Sequence, residues 1–208
     1  MDRHVVFVHG IRIGNSKVWM SSGKPPEVWP PWLVAEIPTL GVWSVEHDSS
    51  PTLWHGYSMP LVDRANNILA RLLSEERLKQ GDISLVAHSF GGLIVEQMLR
   101  TASDRSANEP DVSELVRRVS RVIFLGTPHF GADLATWGGR LRLLFRPSAA
   151  AQSLPRNDPN LRALNQWFRG YAPQNGIATR ILTENRAASD LWSSQIVLIL
   201  AYRPFQFR

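Results

Sequence analysis

The stretch "ISLVAHSFGGLIVEQML", residues 83–99, decides the fold. Ile83, Leu85, Val86 and Ala87 form a short apolar run entered from Gly81-Asp82. No polar alternation marks a solvent face, so the run predicts a strand buried on both sides. From Leu93 the apolar positions Leu93, Ile94, Met98 and Leu99 recur at helical spacing. Only His88-Ser89-Phe90-Gly91-Gly92 is left to reverse the chain. A turn that tight strains its central residue, and Gly91 and Gly92 carry no Cβ to clash where the helix starts close to the strand. Ser89 Oγ is therefore expected to stand out at the C-terminal edge of a sheet, with a helix N-terminus beneath it.

Working outward, Val5–Val8, Val42–Glu46, Val122–Leu125, Ile177–Leu182 and Ile196–Leu200 read as further strands. Between them, "WLVAEIP" predicts one or two helical turns stopping before Pro38. Residues 61–78 hold a helical period through Leu61, Ala65, Ile68, Leu69, Leu72 and Leu73. The helix after the Ser89 turn is expected to end near Thr101. Val112–Val119 and Leu161–Arg169 are expected to be helical too. Strands separated by helices predict an α/β fold with a mainly parallel sheet covered on both faces. The 208 residues suffice for one domain, 1–208, with insertions at 102–111 and 137–160.

Composition narrows the chemistry. There is no cysteine, which removes disulfide and thiolate chemistry and the usual signature of structural zinc. The histidines and acids show no HExxH or comparable set, so no metal is expected. "HGIRIGNSK" lacks the spacing of a phosphate loop, no GxGxxG follows a strand, and no cofactor is expected. The formal charge is +5, but the arginines are dispersed, which argues against a nucleic-acid partner. "WGGRLRLLFRP" (137–147) sets Arg140, Arg142 and Arg146 among Leu141, Leu143, Leu144 and Phe145. It reads equally as a lid, a membrane-surface patch or an amphipathic helix over the core. No run reaches transmembrane length, and "MDRHVVFVHG" is far short of a signal peptide's apolar core. A cytoplasmic protein is the expectation, with peripheral membrane contact kept open.

Residues 87–91, "AHSFG", follow the nucleophile-elbow pattern, with Ala87 where the usual motif has its first glycine. Together with "VVFVHGI" (5–11), "WPPWLVAEIPTLGVWSVEHDS" (29–49) and "IFLGTPHFGAD" (123–133), the chain resembles the α/β-hydrolases of the lipase-like group. Within that group it is most similar to the serine-active-site-containing proteins implicated in phospholipid handling and to the inositol-deacylase-like lipases. The resemblance spans roughly residues 3–135. It implies that Ser89 is a nucleophile acting on a carboxylic ester or lipid through an acyl-enzyme. The backbone N–H groups of Ile11 and Phe90 are then its oxyanion donors, and Glu184 or Asp190 its acid. It further implies that His9 anchors the loop after the first strand, that His88 is structural, and that Gly126-Thr127-Pro128-His129 shapes a wall of the site.

The triad base is where the resemblance breaks. Taking the strands as the last six of the family's eight, the histidine should follow the final strand, but "AYRPFQFR" contains none and the last histidine in the chain is His129. Two explanations stand. The chain ends early or diverges after about Ala187, or the fold brings His129, at the end of a strand on the correct edge, to Ser89. His47 and His55 are the further candidates. If no base serves Ser89, the chain is a catalytically impaired hydrolase-fold protein that binds a ligand or partner.

Overall fold

The computed structural model describes residues 3–10, 19, 28–46, 60–127 and 159–182. The apolar runs become the five strands β1 (Arg3–Val8), β2 (Leu40–Val45), β3 (Asp82–His88), β4 (Val119–Leu125) and β5 (Ala178–Leu182). They join in the order β2-β1-β3-β4-β5, and every neighbouring pair is parallel. The first four strands are neighbours, with β2 at the edge of the described sheet rather than in its centre. Parallel strands need crossovers, so all their C-terminal ends lie at one edge of the sheet.

Register sorts the side chains. Val6 stands opposite Leu85 and Trp43, and Leu85 opposite Val122, so these residues share one face. That face carries the larger core, against helices α2 (Leu61–Ser74), α3 (Phe90–Arg105), α4 (Pro110–Arg118) and α5 (Pro159–Gln174). Val5, Phe7, Val86, Ile123 and Leu125 face the other way, toward Leu33 of helix α1 (Trp29–Glu36) and toward Trp19, whose ring meets Phe7 edge-on at 4.9 Å. Each fully buried Val, Leu, Ile or Phe contributes roughly 1.5–3 kcal/mol through removal from water.

The helices follow from their spacing and their ends. In α2 the buried residues Ala65, Ile68, Leu69 and Leu72 recur three or four apart, with Asp63 in the first turn and Arg71 in the last, each opposite in sign to the helix dipole there. Helix α4 begins on a proline at N1, where the missing N–H costs nothing, and ends on Arg117 and Arg118. Helix α3 is buried from Phe90 to Glu96 and again at Met98, Leu99 and Ala102, so it packs between the sheet and its neighbour helices. On its outer side Asn165 of α5 donates to the buried carboxylate of Glu96 at 3.1 Å. Phe168 of α5 meets Phe124 edge-on at 5.4 Å, near the geometry aromatic rings prefer.

Several boundaries differ from the sequence expectation. The helix expected to reach residue 78 stops at Ser74, because extended Glu75 accepts a bond from Arg77 N–H and opens a separate short turn over Glu76–Leu78. Helix α3 runs past Thr101 to Arg105, whose guanidinium pairs with Glu109 at 2.6 Å across the link to α4. The polar stretch 102–111 is thus built largely from two helix ends. Helix α5 likewise outlasts Arg169, admitting Pro173 in its last turn. The strand expected over Ile196–Leu200 and the basic segment 137–147 lie outside the described residues.

Candidate active site

Between the last residue of β3, His88, and the first of α3, Phe90, there is one residue, Ser89. Its backbone has φ 56° and ψ −128°. Among the described residues it is the one non-glycine with positive φ. Side chains adopt that region only at a cost of about 1–3 kcal/mol, which surrounding structure must offset. The surroundings here are identifiable. Ser89 N–H donates to Leu125 O of β4 at 2.8 Å, and Ser89 O accepts from Gly92 N–H at 3.0 Å. The turn is tied to the neighbouring strand on one side and to its own helix on the other.

Packing is closest where the glycines sit. A Cβ on Gly91 would lie 2.4 Å from Val8 O and 2.8 Å from His9 O, so α3 begins in direct contact with the end of β1. A Cβ on Gly10 would lie 2.9 Å from Phe90 N and 3.0 Å from Ser89 Cβ. The chain leaving β1 therefore passes over the head of α3 on the β1 flank of Ser89. On the β4 flank, a Cβ on Gly92 would lie 2.2 Å from Thr127 Oγ1 and 2.3 Å from its Cγ2. Three glycines and one threonine thus bracket the serine. The sequence marks Gly91 and Gly92 plainly. It does not mark what Gly10 and Thr127 touch, because those contacts join distant segments.

The arrangement has a chemical sense. Ser89 is buried at the positive end of the 16-residue helix α3, where backbone N–H groups and the helix dipole favour negative charge. Phe90 N–H is at that end, beside Gly10. His9 is buried, and its Nδ1 donates to the adjacent Gly10 O at 2.7 Å. His88 projects to the opposite face, edge-on to Trp19 at 6.0 Å. Of the residues nominated from sequence for the chemistry, Ser89 and its chain neighbour Phe90 lie among the described residues, at the head of α3. Ile11, His129, Glu184, Asp190, His47 and His55 lie outside the described residues.

Two cavities open elsewhere. One of about 800 Å³ lies at the opposite, N-terminal edge of the sheet, lined by His4, Leu40, Gly41, Trp43, Arg77 and Gln80 among others. There Trp43 Nε1–H donates to His4 Nδ1 at 3.2 Å, and the Arg77 guanidinium lies 4.5 Å over the Trp43 ring. Burial pushes the His4 imidazole below its usual range, helped by the charge of Arg118 and opposed by a bond to the Gln80 backbone. The second cavity, of about 560 Å³, lies between α5 and β5. Neither touches Ser89, and size alone does not make either one the site. Among the described residues no three His, Asp or Glu side chains converge as a metal site, and no helix is long and apolar enough to cross a membrane.

Comparison with known proteins bears on this geometry. Residues 5–205 match the alpha/beta hydrolase family. Protein SERAC1 from Danio rerio is 31% identical over 189 residues, covering 81% of this chain and 28% of that protein. The Homo sapiens protein of the same name is 29% identical over 187 residues, with the same coverage of 81% and 28%. This chain thus spans 28% of the length of the curated relatives it matches. Among solved structures, phospholipase PlaB from Legionella pneumophila superposes with a TM-score of 0.59 at 20% identity, covering 87% of this chain and 38% of that one. The likeness is one of fold.

Proposed function

The chain belongs to the alpha/beta hydrolase family, and on that premise we propose that it is a serine hydrolase cleaving carboxylic esters of a lipid-like kind through an acyl-enzyme on Ser89. One observation carries the reading: Ser89 holds a positive φ at the head of α3, with Gly10 and Phe90 N against it. A serine kept in a conformation that favours glycine presents its hydroxyl beside a helix N-terminus, the arrangement of a nucleophile elbow.

In this mechanism Ser89 Oγ attacks the ester carbonyl carbon. The carbonyl oxygen takes up negative charge toward Phe90 N–H, a donor fixed at the head of α3 that needs no reorganisation as the charge develops, with the amide of Ile11 assigned as the second donor. The alcohol leaves with the proton Ser89 gave up, and water then releases the acid. A base must carry that proton, since a serine hydroxyl is a weak nucleophile without one. We assign the base to His129, two residues past Thr127 in the sequence, and the acid behind it to Glu184 or Asp190. A lipid-like ester is the substrate class by analogy with the phospholipase of the same fold, and peripheral contact with a membrane surface goes with it. On this proposal residues 1–208 form one hydrolase domain, placed in the cytoplasm.

A second reading has its own observation. No histidine follows His129 in the sequence. Losing the histidine of a serine triad costs about 10⁶-fold in kcat and leaves roughly 10³–10⁴-fold over water. On that reading the domain binds an ester or a partner and turns it over feebly. Fluorophosphonate labelling and hydrolysis of p-nitrophenyl butyrate, on the wild-type chain, Ser89→Ala and His129→Ala, separate the two. Labelling lost in S89A with turnover lost in both variants supports the hydrolase. Labelling of Ser89 with turnover near the uncatalysed rate supports the binding module. Absence of Ser89 labelling refutes the nucleophile.

A further inference from the structure

Thr127 follows β4 at the C-terminal edge of the sheet, and its side chain is 7% exposed. Its hydroxyl oxygen is buried without a hydrogen-bond partner. A buried hydroxyl in that state is destabilising, and valine has nearly the same shape without the penalty. The hydroxyl is pressed, with Cγ2, against Gly92 in the first turn of α3, whose carbonyl partner is Ser89. Strand order puts Gly10 and Phe90 N on the β1 flank of the serine and Thr127 on the β4 flank.

The two flanks of an attacked ester carbonyl serve different oxygens. If the oxyanion forms on the β1 flank, the β4 flank is left for either the acyl chain or the departing alcohol, and a buried hydroxyl there suits the alcohol oxygen. The water that later replaces the alcohol passes through the same position, by microscopic reversibility. Rotating χ1 of Thr127 by one staggered well takes the hydroxyl off Gly92 while the methyl stays against it, and a hydrogen bond to the oxygen at that position requires this rotamer. We propose that Thr127 supplies the hydrogen bond for this oxygen, first the alcohol of the ester and then the water that releases the acid. In the first half-reaction the Ser89 Oγ–carbon bond forms, the carbon–alcohol bond breaks, and the serine proton leaves on the alcohol. In the second, the water oxygen bonds to the same carbon, the Ser89 Oγ–carbon bond breaks, and a water proton returns to Ser89. Thr127 keeps its own proton throughout.

The inference rests on Ser89 as nucleophile, and its test keeps the two apart. Thr127→Val and Thr127→Ser are measured for thermal unfolding, for fluorophosphonate labelling of Ser89, and for p-nitrophenyl butyrate turnover per labelled serine. T127V is expected to unfold at the wild-type temperature or above, to label within about twofold of wild type, and to lose at least about tenfold in turnover. T127S, which restores the hydroxyl, is expected to recover most of that loss. Turnover unaffected in T127V, or labelling and turnover falling together, would overturn the role of Thr127 while leaving Ser89 intact. A wild-type chain that neither labels nor turns over the ester would overturn both.

Discussion

Replacing Gly91 by alanine tests the structural basis of the Ser89 turn most directly. The new Cβ would lie 2.4 Å from Val8 O, 2.8 Å from His9 O and 2.9 Å from His9 C, where ordinary contact begins at 3.4 Å. All three obstructing atoms are backbone, so none can turn aside as a side chain would. Either the end of β1 or the head of α3 must move by about 1 Å, in a core that both elements share. Overpacking of this kind costs about 1–3 kcal/mol, and rigid backbone obstruction places G91A near the upper figure. Alanine returns roughly 0.5–1 kcal/mol relative to glycine in a helix. The net loss is about 2 kcal/mol, or roughly 4–8 °C in Tm for a domain of this length. Urea unfolding at 25 °C measures it, with Gly170→Ala in α5 as control. Nothing stands within 4 Å of a Cβ at Gly170, so that substitution should stabilise by about 0.5–1 kcal/mol. G91A within about 0.5 kcal/mol of wild type would refute the claim that α3 abuts β1.

Three further outcomes follow from the same structure. Ser89→Gly and Ser89→Ala both remove the hydroxyl, but only glycine relieves the positive φ, so S89G should be the more stable by about 1–2 kcal/mol in chemical denaturation; equal stabilities would deny the strain. His4 is held neutral in the fold, below its ordinary pKa of 6.5, while the unfolded chain takes up a proton there as pH falls through that value. Its contribution is therefore fully present above pH 6.5 and declines as the pH drops from 6.5 through the lowered folded pKa; unfolding free energies measured from pH 7.5 to 5 should show a shallower acid-side decline in His4→Gln. Phe168→Ala should cost about 3–5 kcal/mol by urea midpoint, because the ring is 3% exposed and meets Phe124 edge-on; a loss below about 1 kcal/mol would mean that α5 does not seal that side of the core.

The strands were legible because parallel strands buried on both faces cannot alternate, and "VVFV" and "ISLVA" carry that trait on their face. The Ser89 turn was legible for a local reason, since one residue between strand and helix admits few backbones. Helix ends were harder to read. The extra turn of α3 comes with Arg105 pairing to Glu109, and the early stop of α2 with a bond from Arg77 N–H to Glu75, contacts too specific for periodicity to reveal. Of the candidate site, the bond from His9 to Gly10 could be anticipated from adjacency. The packing of Thr127 on Gly92 could not, because it is made only when β4 comes to lie beside β3. Choosing a base among histidines is the same kind of problem, a matter of spatial approach that spacing along a chain does not encode.

The place of β1 in the sheet also has a consequence in time. It lies between β2 and β3, with Arg3 opposite Asp82, so its second edge is closed only by residues that follow 79 positions later. At roughly 5–20 residues per second of synthesis, that interval is about 4–16 s. For those seconds Val5-Val6-Phe7-Val8 has at most one of its two strand neighbours, and α3, which covers its end, has not yet been made. An apolar, β-prone run of this kind invites pairing with other chains while it waits. A segment buried on both faces in the finished protein is thus, during synthesis, open to wrong partners for many seconds.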